Sequence, residues 1–205
     1  MLAADLRRPE RLAALRRAWA AGEALRVAPA LDEGEALALL EATRREPHAL
    51  VVPEAPPIRF QFWKWAGIPE AACEHALCRL GRWTQTDLLA WVEAVTGLAL
   101  APPPEGPPCA AALYTKGSYL DAHDDYGRGR AVAYVLGLTP APWPEADGGW
   151  LEFLAAQDGP VVEARPPGWN TLDLFDVRAP GRWHRVTLLR EHHQRRTIAG
   201  WFHPR

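Results

Sequence analysis

Hydrophobic and polar positions change rhythm once along the chain. Up to about residue 100 the apolar residues recur at helical spacing. Leu12, Leu15 and Trp19 share one face of a first predicted helix that ends near Gly22. Asp32 followed by Glu35 has the form of a capping box and predicts a second helix through Arg45, with Leu37, Leu39 and Leu40 inward. IRFQFWKW, residues 58–65, alternates and predicts a strand. PEAACEHALCRLG predicts a third helix, with Pro69 in its first turn and Gly81 at its end. TQTDLLAWVEAVTG predicts a fourth, capped by Thr84 or Thr86 and closed by Gly97.

APPPEGPP then interrupts all periodicity as a stiff connector. From Cys109 onward the chain reads as short strand-like runs separated by Gly and Pro: CAAALYT, YLDAH, AVAYVLGL, WLEFL, VVEAR, NTLDLF, HRVTLL and RRTIAGWF. About eight strands suit a double-sheet jelly roll. The expected fold class is therefore α+β: a jelly-roll core, a double-stranded β-helix of the cupin kind, with N-terminal helices packed on one sheet. Residues 1–205 form one domain in this reading. Residues 1–101 are a mainly helical support, and 109–205 are the core.

Composition narrows the function classes. A formal net charge of -2 gives no electrostatic reason to expect nucleic acid as a partner. No apolar run reaches the roughly 18 residues of a membrane span. Asp5, Arg7 and Arg8 interrupt any apolar core a signal peptide would need. The first helix is Arg-rich and amphipathic, but Asp5, Glu10 and Glu23 favour an ordinary surface helix over a transit peptide. Cys73, Cys78 and Cys109 lack zinc-knuckle spacing and are expected to be reduced, in a cytoplasmic protein.

The segment YLDAHDDYG, residues 119–127, concentrates acidic groups around one histidine. Side chains at i and i+2 of a strand point the same way. His123 and Asp125 therefore share a side, and Asp124 faces away. Asp121 also lies on the His123 side, but Asp125 stands where the strand gives way to a loop, with more freedom to turn onto an ion. A third ligand is sought among the remaining histidines. His192 and His193 read as a solvated pair, whereas His184 opens a strand in the same all-β half. Two histidines and one carboxylate with open coordination positions form the facial triad of non-haem iron(II) oxygenases. A His-x-Asp pair by itself is a common surface feature, so these ligands alone leave the matter open.

In RRTIAGWF, Arg195, Thr197, Ala199 and Trp201 share one face, and Arg196, Ile198, Gly200 and Phe202 share the other. An arginine inside a β-barrel is costly unless an anion meets it. Its fork fits a carboxylate, and a hydroxyl at i+2 adds a hydrogen bond. Arg195 with Thr197 thus reads as a holder for the far end of a dicarboxylate. The bland alternative is a loop arginine paired with Glu191.

The segments YTKGSYLDAHDD, RAVAYVLGLTPAPW, DGGWLEFL, NTLDLF, WHRV and RRTIAGWF, in that order, resemble iron- and 2-oxoglutarate-dependent oxygenases of the prolyl hydroxylase type. The helical half, including LLAWVEAVTGLAL, is similar to the ribosomal-protein prolyl hydroxylase branch. The resemblance implies His123, Asp125 and His184 as iron(II) ligands and as the catalytic centre. It implies Arg195 as the partner of the 2-oxoglutarate side-chain carboxylate, with Arg196 as the competing choice, and Tyr114 in the co-substrate pocket. It further implies O2 as co-substrate and ascorbate as a supporting reductant. One position departs: Gly137 stands where related enzymes often carry a bulky residue. Tyr126, Arg128, Arg130 and Trp183 are placed to meet substrate. The function implied is hydroxylation of an unactivated C–H bond, foremost of a prolyl residue in a protein, for example a ribosomal one. Hydroxylation of free proline or another small molecule is the alternative on the same scaffold, and a non-enzymatic metal- and anion-binding jelly roll is the alternative of another class.

Overall fold

The structure, a computed structural model, describes residues 1–52, 58–65, 74–127, 129–140, 142–179 and 182–205. The helices are α1 (Pro9–Ala20), α2 (Glu33–Arg45), α3 (Ala76–Trp83) and α4 (Leu89–Thr96). Each of the eight predicted runs of the second half holds a strand: β5 (Cys109–Tyr114), β6 (Tyr119–His123), β7 (Val132–Leu138), β8 (Leu151–Leu154), β9 (Val161–Arg165), β10 (Trp169–Asp176), β11 (Trp183–Val186), which stops short of the predicted Thr187, Leu188 and Leu189, and β12 (Arg195–Pro204). Four more come from the first half: β1 (Leu25–Val27), β2 (Ala49–Val51), β3 (Phe60–Trp65) and β4 (Leu100–Ala101).

The strands join in one curled antiparallel sheet of order β1-β10-β7-β12-β5-β3-β6-β11-β8-β9. One wall is β10-β7-β12-β5, and the opposite wall is β6-β11-β8-β9. The expected jelly roll is present, with twelve strands rather than eight. β3 bridges the walls by pairing with β5 on one side and β6 on the other.

Alternation along the major wall separates two cores. Leu136 and Leu138 of β7, Leu172 and Leu174 of β10, and Ile198 and Phe202 of β12 face outward onto the helices. There they meet Leu39, Leu80, Trp83, Leu88 and Val92. The opposite residues of the same strands face the inside of the curl. The helices thus cover one face of the sheet and leave the other to form a cavity.

Several helix details differ from expectation. Leu37 is exposed, and the inward stripe of α2 is Ala36, Leu39, Leu40 and Thr43. The Asp32 side chain makes no cap; it lies 3.6 Å from the chain's amino terminus instead. Pro69 lies outside the described residues. Gly81 does not end a helix, because α3 runs through it and continues by a π-helical turn, Thr84–Leu88, into α4. Thr84 and Thr86 are not caps either; their hydroxyls donate back to the carbonyls of Gly81 and Arg82. Gly97 closes α4 with φ 72°, the left-handed conformation glycine favours. Cys78 is disulfide-bonded and Cys109 is free and buried, so the expectation of reduced cysteines fails at Cys78. That ground for a cytoplasmic location is removed. Among the described residues no helix is long and apolar enough to cross a membrane.

Candidate metal and dicarboxylate site

His123 ends β6 and His184 lies in β11, and antiparallel pairing sets the two residues opposite each other. Their ring centroids are 4.2 Å apart. Asp125, just past β6, completes the cluster. Its Oδ1 lies 3.8 Å from His123 Nε2 and its Oδ2 lies 3.5 Å from His184 Nε2. One ligand atom from each residue falls within 4.8 Å of the others, close enough to share an ion. Asp124 points into a different, outer groove. Asp121 is taken by Arg59, 2.8 Å away.

Backbone geometry sets the tautomers. His123 Nδ1 meets the Asp121 carbonyl at 2.9 Å, and His184 Nδ1 meets the Arg182 carbonyl at 3.0 Å. A carbonyl only accepts, so each Nδ1 carries the proton and each Nε2 lone pair is left to face Asp125. Burial pushes the pKa of His184 down to about 4, and neighbouring His123 adds to the shift against the pull of Asp125. The ring is therefore neutral at pH 7, the form that binds metals. This donor set, two neutral imidazoles and a carboxylate with one side open to the cavity, fits iron(II).

Each oxygen of Asp125 is also held from behind. Trp201 Nε1 donates to Oδ2 at 2.8 Å, and Arg130 Nη1 donates to Oδ1 at 3.2 Å. The Arg130 guanidinium lies 3.7 Å from the centre of the Trp201 ring. Arg130, expected to meet substrate, thus lies against the carboxylate of the cluster. Trp201 carried no such expectation, although its shared face with Arg195 and Thr197 was a usable signal.

From the cluster a cavity of about 140 Å³ extends between the walls, lined by His123, Asp125, His184, Tyr114, Arg195 and Thr197 among others. Arg195 is buried, and its guanidinium carbon lies 4.8 Å over the Tyr114 ring. Burial lowers its pKa from the ordinary value, with Tyr114 opposing the shift. Among the described residues its Nε has no hydrogen-bond partner. Arg196 faces the helices instead, donating to the Thr43 carbonyl at 3.0 Å and to Gln194 at 2.8 Å. The space beside Gly137 is already filled: a Cβ there would come within 2.4 Å of Thr171 Oγ1.

Of the remaining substrate expectations, Arg128 lies outside the described residues. Tyr126 is 70 % exposed. Trp183 does not line the cavity. It forms the outer groove with Asp124, Tyr126, Val177 and Arg178. The groove begins at the immediate chain neighbours of all three clustered residues.

Residues 109–203 match the 2OG-Fe(II) oxygenase superfamily. The chain is 34% identical over 122 residues to a prolyl 3-hydroxylase, OGFOD1, of Xenopus laevis, covering 57% of this chain and 23% of that protein. It is 36% identical over 104 residues to a prolyl 3,4-dihydroxylase, OGFOD1, of Ostreococcus tauri, covering 46% of this chain and 20% of that protein. The matched region spans under a quarter of the length of these curated relatives. Among solved structures, a prolyl-4-hydroxylase of Pseudomonas putida superposes with TM-score 0.68 at 25% identity, covering 95% of this chain and 99% of that one. A 2-oxoglutarate-type epimerase from nogalamycin biosynthesis, SnoN, superposes with TM-score 0.70 at 16% identity, over 96% and 82% of the two chains, and shows the fold alone. Residues 109–203 are thus similar to the 2OG-Fe(II) oxygenase superfamily, and the relatives and the solved structure that they resemble include prolyl hydroxylases.

Proposed function

We propose that this chain is an iron(II)- and 2-oxoglutarate-dependent dioxygenase that hydroxylates a prolyl residue of a protein. The observation that carries it is the meeting, in one cavity, of the His123–Asp125–His184 cluster with a buried arginine short of a partner. His123, Asp125 and His184 would hold iron(II), and Arg195, Thr197 and Tyr114 would hold the far carboxylate of 2-oxoglutarate. Bound there, the metal supplies the redox chemistry that couples 2-oxoglutarate decarboxylation, with O2, to C–H hydroxylation.

The chain's own residues do the rest. Backbone carbonyls keep both imidazoles in the Nε2-open tautomer. Trp201 and Arg130 fix the carboxylate plane. Phe62, Leu120, Phe175 and Val186 keep the cavity apolar and limit water. Fold likeness does not select the reaction, since the same architecture serves an epimerase. The prolyl target is supported by the relatives' names, and the polypeptide by the outer groove of Tyr126 and Trp183 beside the cluster. Aromatic walls suit the rigid, extended backbone of a proline-containing segment. A ribosomal or translation-factor proline is the target we put first, which would place the chain in the cytoplasm with it.

The test is succinate formation by the purified chain with iron(II), 2-oxoglutarate and a proline-containing protein, together with mass spectrometry of proteomes made with and without the chain. A gain of one oxygen on a prolyl residue is expected. Modification of free proline alone would favour the small-molecule hydroxylase. Metal binding without 2-oxoglutarate consumption would leave a non-enzymatic anion-binding jelly roll.

A further inference from the structure

The register of the sheet lays the inner side chains out in cross-strand rows. Leu113 pairs with Trp63 and Tyr114 with Arg195, which puts Phe62, Tyr114 and Arg195 in one row. The rings of Phe62 and Tyr114 are stacked, with centroids 5.0 Å apart. The next row inward is Lys64, Ala112 and Thr197, because Lys64 pairs with Ala112 and Ala112 pairs with Thr197. Lys64 therefore stands on the same inner face as Phe62, one row from Arg195, and it lines the same cavity.

No ion pair or hydrogen bond engages the Lys64 ammonium among the described residues. Asp125 is the sole carboxylate among the cavity's described lining residues, and Arg130 already meets it. Asp173 acts on Arg195 from a distance, but it is committed to Arg26 and Arg165 at 2.7 and 2.8 Å. Two cations, Lys64 and Arg195, thus share one largely apolar cavity without a committed counter-ion. Leaving cations so placed is costly unless a ligand answers them. Thr197 sits two strand spacings from Lys64, roughly 10 Å between backbones. Between them stands Ala112, whose methyl leaves the path open. A four-carbon stem laid over Ala112 brings the ammonium towards any carboxylate held by Thr197 and Arg195.

We propose that Lys64 is a second cationic anchor for the distal carboxylate of the dicarboxylate co-substrate, and that the Lys64–Arg195 pair sets the preference for a 2-oxo diacid over a 2-oxo monoacid. This rests on the co-substrate site proposed above. Arg195 supplies the directional fork, and Lys64 supplies a mobile point charge from the bridging strand β3. A 2-oxo monoacid such as pyruvate lacks the group that the pair recognises.

Calorimetric titration of the manganese(II)-loaded protein with 2-oxoglutarate and with pyruvate tests this without turnover. Lys64→Met is expected to weaken 2-oxoglutarate binding about tenfold to a hundredfold, the range carried by one charged hydrogen bond, and to leave pyruvate binding within about twofold. Lys64→Arg, which keeps the charge, is expected to restore most of the loss, and the melting temperature reports that each variant is folded. Equal 2-oxoglutarate affinity in Lys64→Met and wild type overturns the anchor while leaving the co-substrate site standing. An equal loss for both ligands assigns Lys64 to general cavity structure and also overturns it. A wild-type protein that binds the diacid no better than pyruvate removes the site itself, and the anchor with it.

Discussion

Arg165 and Arg195 are both buried in the same curled sheet, and their surroundings are opposite. Arg165 is 5% exposed, and each of its nitrogens has a partner: Glu163, Asp173 and the carbonyls of Leu25 and Ala24. Burial pulls its pKa down, but Glu163 and Asp173 outweigh burial and leave it raised. Arg195 is equally buried, yet it meets only Tyr114, through ring and hydroxyl, and Asp173 at a distance; among the described residues its Nε has no partner, and its pKa is lowered. The first guanidinium ties β1, β9 and β10 together as part of the scaffold. The second is left short, as a group is when its partner arrives from outside. Burial alone does not tell a structural charge from a binding one; the tally of partners does.

The contrast can be broken or sharpened by substitution. The largest effect is expected from His184→Ala on the cavity side, which should abolish iron-dependent succinate formation; retained turnover would exclude His184 from the centre. Arg165→Met should act on the scaffold alone, lowering unfolding free energy by about 2 kcal/mol, since the carbonyls of Leu25 and Ala24 lose their donor and Asp173 keeps only Arg26. Chemical denaturation reads that loss. Arg195→Met should do the reverse, weakening 2-oxoglutarate binding by at least about thirtyfold while the ligand-free protein melts no lower than wild type. If Arg196→Met carries the binding loss instead, the two faces of β12 have been assigned the wrong way round. Trp201→Phe keeps the ring and removes the donor to Asp125, so metal affinity should fall about tenfold, the lower end for a supporting hydrogen bond. The smallest effect is expected from Asp124→Ala: metal affinity within about twofold of wild type by the same titration, against near-complete loss for Asp125→Ala.

Much of the core was legible because its signals are local. The eight runs from Cys109 onward are short, apolar-rich and mostly bounded by Gly and Pro, and each holds a strand. The helical half was less legible at its joints. Gly81 resembles a stop, but Leu77, Leu80 and Trp83 bury their side of α3, and that packing outweighs the roughly 1 kcal/mol a glycine costs inside a helix. Thr84 and Thr86 resemble caps, but their backbone amides lie within a continuing helical run, so their hydroxyls turn back on the preceding turn. β1, β2 and β4 have three residues or fewer, too short for any period to show. Lys64 was legible as a strand residue, but the row it shares with Thr197 was not.

By itself the sequence determined parity: His123 with Asp125 and against Asp124, and Arg195 with Thr197 and Trp201 and against Arg196. Alternation follows from the covalent geometry of an extended chain, so it needs no knowledge of neighbours. Only the tertiary structure decided which strands became neighbours. It set His184 opposite His123, brought Arg130 and Trp201 behind Asp125, and turned the Arg195 face rather than the Arg196 face into the cavity. Those choices depend on how the sheet curls and which face the helices cover. They arise from burying apolar surface across the whole domain, and no short window of residues contains them.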